Sequence, residues 1–101
     1  MRRRSVDDAD ALRVCFELLQ ECRRRELPAL APLVLAYIGM QPDCAAGLID
    51  IRKELGLSKP QMTRLTTPLV EAGLIVTAMA VEDRRQTVLR LSSRGRSVVG
   101  K

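Results

Sequence analysis

The stretch "IRKELGLSKPQMTRLTTPLVEAGLI", Ile51–Ile75, decides the fold. Leu48, Ile51 and Leu55 recur at helical spacing, and Gly56 follows as a C-terminal glycine, so a short helix ends there. Ser58-Lys59-Pro60-Gln61 then opens another helix. Its S-x-x-Q pattern is a capping box, in which each of the two side chains takes up a backbone N–H that the helix start leaves free. Pro60 falls in the first turn, where a missing N–H costs nothing. Beyond it Met62, Leu65, Leu69 and Ala72 make an apolar side, while Thr63, Arg64, Thr67 and Glu71 make a polar one. Gly73 ends this helix. Pro68 removes a helical hydrogen bond to Arg64 and should bend it. Two helices joined by Gly56-Leu57-Ser58 read as a helix-turn-helix.

Downstream the apolar period changes from helical to two. Leu74–Val81 reads as a strand and Gln86–Leu91 as its partner, with Thr87, Leu89 and Leu91 on one face. Glu82–Arg85 becomes the tip of a hairpin, so two arginines sit where core packing asks nothing of them. Ser92 or Ser93 can cap a last helical turn.

Upstream, Asp7–Arg25 reads as a helix with Ser5 as its cap. Acids fill its first turn and Arg23–Arg25 its last, which suits the helix dipole at both ends. Leu12, Cys15, Leu19 and Cys22, with Phe16 beside them, form one apolar stripe, and Cys15 is expected to be a buried structural thiol. Pro28 and Pro32 delimit a second helix, Ala31–Met40. It is apolar almost all round, which implies burial on several sides. Gln41-Pro42-Asp43 ends it. The expected fold is mainly α with a small β-hairpin (α+β), a winged helix-turn-helix. Residues 1–27 would be an N-terminal dimerisation helix and residues 28–101 the winged domain.

Composition narrows the function. The 101 residues suffice for one domain with a modest core. Phe16 and Tyr37 are the only aromatics, which argues against base-stacking platforms for single strands. Residues 1–51 hold seven Arg/Lys against eight Asp/Glu, whereas residues 52–101 hold ten against four. A polyanion would therefore meet the C-terminal half. Three cysteines without CxxC spacing and no histidine make a metal site improbable, and reduced thiols suit a cytoplasmic protein. Acids follow Arg2–Arg4 where a signal peptide needs an apolar run, and Leu27–Met40 is too short to span a bilayer. Without a histidine, a glycine-rich phosphate loop or an acid pair at a plausible cleft, no enzyme is expected, and no cofactor.

The polar face fits duplex DNA. Ser58, Lys59 and the free N–H groups of the helix start can take phosphate. Gln61 can read adenine, and Arg64 can read guanine or clamp phosphate. Thr63 and Thr67 share that face. The bland alternative, a solvated side of an amphipathic helix, is the better reading of this helix taken by itself. The basic hairpin in the correct order and spacing reverses the balance.

Together with "EDRRQTVLRLSSRG", Glu82–Gly95, the opening stretch resembles the winged-helix core of the MarR family of bacterial transcription regulators. The matching features are the LGLS turn, the Thr63-Arg64 pair, the E-x-G-L exit after Glu71, and the Asp83-Arg84-Arg85 wing leading to L-[ST]-x-x-G. The likeness covers roughly Leu48–Arg96. It implies a homodimer that binds double-stranded DNA and regulates transcription, as a repressor. It also implies that Asp83 braces the wing by pairing with a nearby arginine, while Arg84 or Arg85 enters the minor groove. The family dimerises mainly through N- and C-terminal helices, and the C-terminal pair has no counterpart here. The first helix, the second helix or the Leu74–Val81 strand must then carry the dimer, and no small-molecule effector is expected. "VCFELL" around Cys15 faintly resembles the peroxide-sensing branch of the family, without its recognisable tyrosines. Two alternatives accordingly stand beside DNA regulation: a winged helix for protein–protein docking, and a thiol-based redox sensor acting through Cys15.

Overall fold

The computed structural model describes residues 6–79 and 86–101. Five helices and three short strands follow in the order α1 (Val6–Arg24), α2 (Ala31–Met40), β1 (Ala45–Gly47), α3 (Leu48–Leu55), α4 (Lys59–Glu71), β2 (Ile75–Met79), β3 (Thr87–Leu91) and α5 (Ser93–Val98). The fold is a winged helix, mainly α, as expected. Its sheet has three strands in the order β1-β3-β2, all antiparallel, rather than the two of a simple hairpin.

Helix α2 is the centre of the core. Its Val34, Leu35 and Ile38 are fully buried, and its one proline, Pro32, sits in the first turn. Around it pack Leu18 and Cys22 of α1, Ile51 of α3, Met62, Leu65 and Leu69 of α4, and Leu89 and Leu91 of β3. Among the described residues no polar side chain is buried, so the side chains of this interior contribute through hydrophobic burial. Helix α4 continues through Pro68 to Glu71 and closes where Leu74 N–H donates to Leu69 O at 3.1 Å.

Strand β1 escaped the sequence because Ala45-Ala46-Gly47 shows neither alternation nor β-branched residues. Pairing makes it a strand: Ala45 lies opposite Arg90, Ala46 opposite Leu89 and Gly47 opposite Val88. The preceding Cys44 turns the chain at φ 50, and its carbonyl accepts from Leu91 N–H at 2.9 Å.

Helix α1 also departs from expectation. Its core-facing ridge is Leu18 and Cys22, with Val14 half-buried, whereas Leu12, Cys15, Phe16 and Leu19 are exposed. At 3.6 residues per turn, Leu19 stands about 100° from Leu18. The apolar band is thus wider than one helix face, and the small domain covers only one edge of it. Cys15 lies on the uncovered edge, not in the core. Ser5, expected as the cap of α1, lies outside the described residues.

The expected last helical turn is the six-residue α5. Ser92 caps it by accepting from Gly95 N–H at 3.0 Å, and the Ser92 hydroxyl donates to the Gly73 carbonyl. Gly95 is required there for space: a Cβ on it would stand 2.1 Å from the Leu74 carbonyl oxygen. The L-S-x-x-G pattern therefore locks the base of the hairpin to the end of α4.

Candidate nucleic-acid interface

Three local devices hold α4 in place. Gly56 adopts the left-handed conformation at φ 66, which a side chain would disfavour, and lets the chain reverse after α3. Leu57 then inserts into the core while its N–H donates to Arg52 O at 2.9 Å. Finally the capping box closes in both directions. Gln61 N–H donates to Ser58 Oγ at 3.2 Å, and Ser58 N–H donates to Gln61 Oε1 at 2.9 Å. With Met62, Leu65 and Leu69 anchored in the core, the opposite side of the helix faces out.

On that outer side the structure places Ser58, Lys59, Gln61, Thr63, Arg64 and Thr67, all exposed. The remaining expected residues, Asp83, Arg84 and Arg85, lie outside the described residues. Gln61 carries a second task that bears on its reading role. Its carboxamide oxygen already serves the cap, so a two-point contact with adenine would compete with an interaction contributing about 1 kcal/mol. The Ser58 hydroxyl accepts from Gln61 and keeps its own proton to donate outward.

A crevice of about 420 Å³ separates α3 and α4 from strand β3. Its walls include Arg52 and Ile49 of α3, Lys59, Thr63 and Thr67 of α4, and Thr87 of β3. Arg52 and Thr87 were not among the site residues expected from the sequence. Arg52 was masked by helical spacing that marks only its apolar neighbours, and its position depends on how the turn folds back. The half-buried Arg52 donates from Nε to the Leu57 carbonyl at 3.4 Å.

Two other features surround the helix-turn-helix. An open groove of about 640 Å³ runs between α1 and the α1–α2 link, lined by Phe16, Leu19, Cys22, Leu27, Pro28 and Pro32 among others. Burial, helped by the Glu21 carboxylate and opposed by Arg25, pushes the Cys22 thiol above its ordinary value. Cys22 is therefore a poor nucleophile. Among the described residues, no group of three His, Cys, Asp or Glu could hold a metal ion, and no helix is long and apolar enough to cross a membrane.

Comparison with known proteins places this geometry. The model described as MarR family matches residues 26–86, more than half of the chain. Among solved structures, AbsC, a MarR family transcriptional regulator from Streptomyces coelicolor, superposes with a TM-score of 0.71 at 16% identity, covering 98% of this chain and 72% of that one. MepR from S. aureus in its DNA complex superposes with a TM-score of 0.73 at 19% identity, covering 90% of this chain and 73% of that one. A mutant of Lactococcus lactis ZitR gives 0.65 at 22% identity over 72% of this chain, which spans 48% of that protein's length. No curated protein sequence matches the chain.

Proposed function

The chain belongs to the MarR family, and from that premise we propose that it binds duplex DNA sequence-specifically as a cytoplasmic homodimer and represses transcription. The observation that carries this reading is the face of α4. Its anchored apolar side leaves Lys59, Thr63, Arg64 and Thr67 exposed together, and the sequence between β2 and β3 holds two arginines, Arg84 and Arg85. A helix presented in this way enters the major groove, with its N-terminal residues at the base edges. Arg64 reads a base, Thr63 and Thr67 line the groove, and Ser58 and Lys59 hold phosphate. Asp83 braces the wing, and Arg84 or Arg85 enters the minor groove, where narrow width concentrates negative potential. No cofactor and no enzymatic step enters this reading.

Residues 1–27 supply the dimer and residues 28–101 the DNA-binding domain. Supporting this division, Leu12, Phe16 and Leu19 are 51%, 59% and 54% exposed on one edge of α1. A second copy covering that edge would link two half-sites.

The test is selection of bound sequences from a random duplex pool at about 150 mM salt, near physiological ionic strength. A two-fold symmetric motif is expected. Loss of all retained duplex at that salt would favour a docking role for the basic face. One observation favours a further reading. Cys15 is exposed in the single chain, on the edge of α1 assigned to the dimer, so its thiol is accessible before the two copies associate. Oxidant-dependent DNA binding in the wild type but not in Cys15→Ser would establish it.

A further inference from the structure

We propose that Arg52 clamps a DNA phosphate at the mouth of the crevice between α4 and the hairpin. This rests on the reading above that the chain binds duplex DNA. Arg52 belongs to α3, the helix that crosses the sugar-phosphate strand when its successor lies in the groove. Its side chain does not run out into solvent. It folds back over the turn, where Nε donates to the Leu57 carbonyl, and it lines the crevice together with Lys59 and Thr63. That single bond occupies Nε and leaves both Nη groups to bind an anion through two parallel N–H donors.

Charge points the same way. The ion pairs among the described residues all lie on α1 or at its C-terminal end: Arg13–Asp10, Arg24–Glu21 and Arg25–Glu21. No described carboxylate reaches Arg52, so among the described residues its half-buried guanidinium shares the crevice with Lys59 and no counter-charge. Two cations facing one cleft are a site for an anion between them. With Thr63 and Arg64 at the base edges, the anion next along the groove wall is a phosphate. The planar fork, pre-set by the Leu57 carbonyl, loses little freedom on binding it. Arg52 thus ties DNA contact to the geometry of the turn that aims α4.

The experiment is a salt titration of affinity for a labelled duplex selected by the wild type, using wild type, Arg52→Gln and Arg52→Lys. Each phosphate neutralised contributes about 0.9 to the slope of log K against log salt. Arg52→Gln should lower the slope by that amount, so its affinity loss is about 3.5-fold greater at 50 mM than at 200 mM salt. Arg52→Lys should restore the slope, which a role confined to bracing the turn would not do. An unchanged slope in a folded Arg52→Gln overturns the clamp while leaving DNA binding intact. Absence of salt-dependent binding in the wild type overturns both. Should Arg52→Gln fail to fold, the wild type alone decides through arginine modification with phenylglyoxal and peptide mapping. Protection of Arg52 by the duplex is expected, and equal modification with and without duplex overturns the proposal.

Discussion

Truncating Phe16 should separate the dimer from the fold. Phe16 is 59% exposed in the monomer, whereas Leu18, two residues on, is 4% exposed. Fully burying a phenylalanine contributes about 1.5–3 kcal/mol, so the part still exposed is worth roughly 0.9–1.8 kcal/mol when a second copy covers it. A two-fold interface uses the residue twice. Phe16→Ala should therefore weaken dimerisation by roughly 2–3.5 kcal/mol, which is about 30- to 300-fold in the dimer Kd. Leu18→Ala should act on the fold, costing about 2–5 kcal/mol of stability through the cavity it leaves. Sedimentation across a dilution series reads the first effect, and urea unfolding of monomer reads the second. DNA affinity of Phe16→Ala should become steeply dependent on protein concentration, because half-site binding then requires assembly. A Phe16→Ala protein with wild-type dimer Kd and wild-type operator affinity would refute the assignment of this edge of α1.

Three further outcomes follow from particular atoms. Gly95→Ala forces a Cβ to within 2.1 Å of the Leu74 carbonyl oxygen; it should destabilise the fold by about 3 kcal/mol or more, seen as a lower urea midpoint. The double change Arg84→Ala with Arg85→Ala should lower the salt slope of DNA affinity by up to about 2 while leaving thermal stability almost untouched, because exposed charges seldom contribute more than about 1 kcal/mol; an unchanged slope would remove the wing from the interface. Exposed Cys15 should be alkylated by maleimide in the monomeric Phe16→Ala protein well before Cys22, whose burial holds the thiol protonated; mass mapping with Cys22 modified first would contradict that.

The parts of this molecule that were legible before its structure are those whose local chemistry has one solution. Pro28 and Pro32 mark out α2, Gly56 can take a conformation that other residues resist, and Ser58 with Gln61 forms a cap wherever a helix follows. Gly56 and the Ser58–Gln61 cap position α4, so most of the candidate site could be read directly. Strand β1 could not, because alanine and glycine acquire strand character only through β3. The split of α1 was hidden for a different reason. Periodicity reports how wide an apolar band is, and only packing against α2 and α5 decides which edge is covered. Arg52 belongs to the same class, since its place in the crevice depends on a bond to Leu57 across a turn.

The most direct measurement is sequence selection repeated with Arg64→Ala. Arg64 is exposed on α4, whereas Leu65 and Leu69 are buried. If α4 reads bases, the variant should fold normally and lose preference at one or two positions in each half-site, each loss equivalent to about 1–3 kcal/mol of discrimination. A folded Arg64→Ala protein that selects the wild-type motif unchanged would contradict base reading by this helix.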